Sequence, residues 1–97
     1  MYRHTQEALN GLKTEIKACK KYADLATQQA QKGNVGSAIQ FLEIAQTAKT
    51  CANQAHEALW DLSKGQLSDE AFDRFCEAET LSQVINKAHK AIQQART

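Results

Sequence analysis

Gly33-Asn34-Val35-Gly36-Ser37 and Lys64-Gly65-Gln66-Leu67 are the two stretches whose glycines interrupt an otherwise helix-forming chain that has no proline. These breaks leave three segments of about 28 residues, each ~42 Å long if helical. Alanine, glutamine, lysine, glutamate and leucine dominate all three, β-branched residues never cluster, and no stretch alternates with period two. The chain is therefore expected to be all-α, with helices near residues 5–32, 35–64 and 68–95. Connections this short force neighbouring helices to run antiparallel. The expected fold is an antiparallel up-down-up three-helix bundle with coiled-coil-like, alanine-rich packing.

Working outward from the first break, segment one carries a seam at intervals of three and four: Leu9, Leu12, Ile16, Cys19, Ala23, Ala26 and Ala30. Gly11 lies off that seam, where it costs helix propensity but no packing. Gly33 suits the left-handed position that ends a helix. Segment two opens with Ser37 and Gln40 in capping-box spacing, Asn34 being the rival cap. Its seam reads Phe41, Ile44, Ala48, Cys51, Ala55, Ala58 and Leu62, widened by Ala38, Ala45, Ala52 and Leu59, and Gly65 is its stop. In segment three, Ser68 caps, Asp69 and Glu70 complement the helix dipole, and Leu67 is placed to staple Phe72. The face expected to be buried there is Ala71, Phe75, Ala78, Leu81, Ile85, Ala88, Ile92 and Ala95. With so much alanine, Leu12, Ile16, Phe41, Leu59, Phe75 and Ile85 must supply most of the hydrophobic term, and dimerisation would supplement a core this small.

Composition narrows the function classes. Twelve basic against eleven acidic residues leave a net charge of +1, which argues against a polyanion binder. An apolar fraction of 42% is too high for a disordered chain. No run approaches the ~20 apolar residues of a membrane span, so no membrane partner is expected. Residues 1–7 lack the apolar core of a secretory signal. Three scattered cysteines, with no CxxC or CxxH spacing, read as free thiols in a reducing compartment; the expected location is cytoplasmic.

Segment two holds more apolar surface than one core needs. Val35, Ile39, Leu42 and Trp60 fall to one side of its seam, beside Lys49 and His56. Either this helix touches both neighbours while Trp60 covers a bundle end, or these residues form a subunit or partner interface anchored by Trp60 and Leu42. The leading expectation is a small non-enzymatic protein acting through protein–protein contact, self-associating through helix two as a homodimer.

Two constellations compete with it. Cys19, Cys51 and Cys76 fall at similar heights on antiparallel helices and, with His56 or Glu79, could hold a soft metal. Against this, buried cysteine behaves as a small hydrophobe, and Cys76 points away from its seam; no cofactor is expected. Lys13, Lys17, Lys20 and Lys21 form a basic strip on the outer side of helix one. That strip either balances the acidic start of helix three or contacts a nucleic acid; no aromatic interleaving accompanies it, and nucleic acid is not the expected partner. No GxSxG, HExxH or phosphate-loop pattern occurs, and no base can be assigned to a nucleophile, so no catalytic residue is assigned.

Tyr22-x-x-Leu25-Ala26, then Gly33, then Ala38, Leu42 and Ala45 resemble the spacing of one tetratricopeptide repeat, a helical hairpin. The likeness covers residues 22 to about 50 and departs from the repeat at Thr50, where it would carry proline, and in having no second copy. Three-helix trafficking modules of the microtubule-interacting type look similar. The resemblance implies a groove that takes a peptide helix, the second functional expectation.

Overall fold

Residues that favour helix almost everywhere leave only the connections to be decided by special chemistry. The computed structural model describes residues 2–97, and among these no strand forms. Helix α1 spans Thr5–Gln31, α2 Val35–Ser63, α3 Asp69–Glu79 and α4 Leu81–Arg96. These amount to three helical segments, the third divided at Thr80.

Each connection is fixed by backbone hydrogen bonds. After α1, Gly33 adopts φ +84°, donating to the Ala30 carbonyl at 3.0 Å while Asn34 donates to that of Gln29 at 2.8 Å. This is the Schellman closure, and it needs a left-handed residue where glycine stands. After α2 the same closure recurs one residue earlier than the glycine: Lys64 takes φ 56° and Gly65 donates to the Trp60 carbonyl at 3.1 Å. Ser68 caps α3, its hydroxyl accepting from the Ala71 amide at 3.1 Å. Ser37 caps nothing: α2 begins at Val35 after Asn34, whose side chain instead donates to Gln29 Oε1 at 2.9 Å. The Leu67–Phe72 staple does not form, since Leu67 packs on the core while Phe72 is exposed.

The unbroken helix expected over 68–95 is divided. The Thr80 amide and hydroxyl both donate to the Glu77 carbonyl, at 3.0 and 2.7 Å, and Gln83 donates back to Thr80 at 3.1 Å. These are i to i−3 bonds, the geometry of a tighter turn. The buried face itself runs on across this turn, through Phe75, Ala78 and Leu81.

Alanine accounts for eleven of the twenty-one buried apolar residues, so the helices can approach closely. Leu12, Ile16, Cys19 and Leu81 are the largest fully buried side chains. α1 and α2 share the broadest contact, α4 packs chiefly on α1, and α3 touches its neighbours least, burying only Ala71 and Phe75. The result is a slender body of 48 × 21 × 14 Å. Tyr22 of α1 stacks on Phe41 of α2 (6.1 Å between centroids), Gln46 of α2 meets His89 of α4 (3.1 Å), and Lys13 and Lys20 of α1 meet Glu70 and Glu77 of α3.

Helix α2 presents a different face from the one its period suggested. The buried line is Ala38, Leu42, Ala45, Ala48, Ala52, Ala55 and Leu59, while Ile44 and Leu62 stand exposed and Phe41, Cys51 and Ala58 are half-buried. The helix is rotated because it must serve α1 on one side and α4 on the other, and a face between them buries more than either stripe alone.

Candidate interaction surface

The rotation of α2 redistributes the residues expected at an interface. Leu42 belongs to the core, and Val35 is half-buried against it. Ile39 is partly exposed and Trp60 is 51% exposed, so the four residues do not form one surface. Instead α2 has two exposed flanks. Beside α1, Ile44, Cys51 and Ala58 follow at seven-residue intervals and Leu62 comes four later; Ile44 and Cys51 border a shallow groove with Glu15, Ala18 and Ala48. This flank was read from the sequence as the core seam.

The other flank ends in an aromatic corner. The Phe75 ring of α3 lies against His56 at 3.7 Å between centroids and is tilted to Trp60 at 6.4 Å. The indole rests on Gly65, where a Cβ would come within 3.3 Å of it. Phe72, 59% exposed, stands one turn before Phe75 on the same helix. Phe72 was missed because it was assigned to the staple; its three-residue spacing from Phe75 is the signal that marks a shared face.

The basic strip turns part of its length toward α3. Lys13 pairs with Glu70, and Lys20 with Glu77 at 2.5 Å, where Arg74 also pairs at 2.8 Å. The bond from Lys13 holds the Glu70 carboxyl below its ordinary value, and that from Lys20 does the same for Glu77. Lys21 stacks over the Tyr22 ring at 5.5 Å, and Lys17 is exposed. The strip is thus divided among an acidic partner helix, an aromatic ring and solvent.

Nor do the cysteines form a layer. Cys19 is buried, Cys51 half-buried and Cys76 exposed, and among the described residues no three His, Cys, Asp or Glu side chains gather as a metal site, His56 included. Burial pushes the Cys19 thiol up, in keeping with a cysteine that packs as a small hydrophobe. The residues behind the hairpin resemblance, Ala26, Ala38, Leu42 and Ala45, lie in the same buried cluster as Leu81, Ile85 and Ala88, so the chain's own third segment lies against that hairpin. No helix among the described residues is long and apolar enough to cross a membrane. Compared with protein-family models, characterised proteins and solved structures, the chain gives no match.

Proposed function

We propose that this chain is a non-enzymatic interaction protein that acts through protein–protein contact and pairs with a second copy of itself through α2. One observation carries the reading. Of the five large apolar side chains that stand exposed among the described residues, four (Ile39, Ile44, Trp60 and Leu62) lie on α2. A helix already packed on two neighbours has no folding reason to carry them outward, and such apolar surface marks contact sites. The stripe of Ile44, Cys51, Ala58 and Leu62 has the spacing by which one helix lies along another.

The architecture that presents this helix is an up-down-up bundle with coiled-coil-like alanine packing. Supporting it are the ascending pairs Lys13–Glu70 and Lys20–Glu77 between α1 and α3, and the stack of Tyr22 on Phe41 across a three-residue connection. Three unpaired thiols support a cytoplasmic setting.

Size-exclusion chromatography with light scattering tests the reading. The wild type is expected to run as a dimer, and Ile44→Glu as a monomer of unchanged helical content. A wild type that stays monomeric at high concentration overturns self-association.

A further inference from the structure

The aromatic corner differs from the Ile44 stripe in its electrostatics. Between Glu57 and Glu79 the sequence carries seven carboxylates and two cations, Lys64 and Arg74. Glu70 and Glu77 are engaged by Lys13, Lys20 and Arg74. Glu57, Asp61, Asp69, Asp73 and Glu79 form no ion pair among the described residues. Two of them, Glu57 and Asp61, share a shallow concavity with Trp60 and His56. The indole is supported from below by Gly65 and flanked by Phe75, so it is held in one place while half of its surface stays open. An open indole beside two carboxylates attracts a cation twice, through the ring quadrupole and through charge.

We propose that this corner docks a basic amphipathic helix of a partner protein. A lysine or arginine head group lies over the Trp60 indole beside Glu57 and Asp61, and the partner's apolar face covers Phe72. A neutral or acidic partner would leave these carboxylates facing apolar or like-charged surface, which costs affinity. The proposal rests on α2 being an interaction helix but uses a flank separate from the one assigned to self-association.

Trp60 is the only tryptophan, so its emission reports directly on the corner. The full chain is titrated with a leucine–lysine amphipathic helical peptide and with a leucine–glutamate peptide of the same apolar pattern. The lysine peptide is expected to shift the emission to the blue, saturably, with affinity falling as salt rises. The glutamate peptide is expected to produce no shift. The exposed pair Glu57→Gln and Asp61→Asn should weaken the lysine peptide by about tenfold or more, with helical content unchanged. Trp60→Phe, followed through a labelled peptide, should also weaken it. Equal binding of both peptides, or binding of the lysine peptide that ignores the carboxylate variants, overturns the proposal, as does no binding at all. Light scattering on the same samples separates the two readings: a monomer that binds the lysine peptide refutes self-association alone, and a dimer that does not bind it refutes docking alone.

Discussion

At Gly11, inside α1, a Cβ would run into the ring of Tyr2, so the helix gives up propensity to let the ring lie on its backbone. Burial, followed by the nearby charges of Glu15, Cys51 and Glu7, pushes the Tyr2 phenol up, as expected for a ring held against the protein. Alanine in place of glycine within a helix is ordinarily favourable by about 1 kcal/mol. Here that gain is offset by displacement of the ring. Gly11→Ala should therefore stabilise little in the wild type and by about 1 kcal/mol in a Tyr2→Ala background. Urea unfolding of the four proteins in that cycle checks it, and equal effects in both backgrounds would show no coupling. The sequence alone marked Gly11 as a weak point off the seam. It could not show that a residue nine positions away fills the space.

Among the elements, α3 has the best defined start and the weakest hold. Ser68→Ala removes the one side-chain cap bond found at a helix start among the described residues and should cost about 1 kcal/mol in urea unfolding. Ser37→Ala should cost nothing, because Ser37 sits inside the first turn of α2 without a cap bond. If Ser37 were the costly one, α2 would have to begin later than Val35. Local signals of this kind were legible: the Ser68 cap, the left-handed Gly33 and the seam of α1 all rest on residues within a turn of one another. The face of α2 was not, because Phe41, Leu42, Ile44 and Ala45 supply two apolar stripes side by side. Helical period shows that both exist, and only the neighbouring helices decide which one is buried. The turn at Thr80 was hidden by the continuity of the buried face, which runs through Phe75, Ala78 and Leu81 as it would on one helix. The two-stripe ambiguity of α2 put Leu42 at the expected interface, while assignment to the staple left Phe72 out of it.

For the whole molecule, two ion pairs seven residues apart tie α1 to α3, Lys13–Glu70 and Lys20–Glu77. Both carboxyls titrate below their ordinary value of 4.5 in the folded chain. Their contribution to stability is therefore complete above that value and is lost as pH falls through the lower folded values. The urea midpoint of the wild type should drop on acidification below about pH 4.5 more steeply than that of Lys13→Met with Lys20→Met. Parallel pH profiles would mean the pairs contribute nothing in solution, a frequent fate of exposed pairs. Because α3 buries only Ala71 and Phe75, with Ala78 half-buried beside them, its ion pairs to α1 are a large part of its hold and are sensitive to salt and acid. Amide hydrogens of residues 69–79 should thus exchange with deuterated water sooner than those of α1 and α2, through openings that leave the long hairpin closed. Such openings would swing Phe75 away from His56 and Trp60 and take the docking corner apart without unfolding the protein.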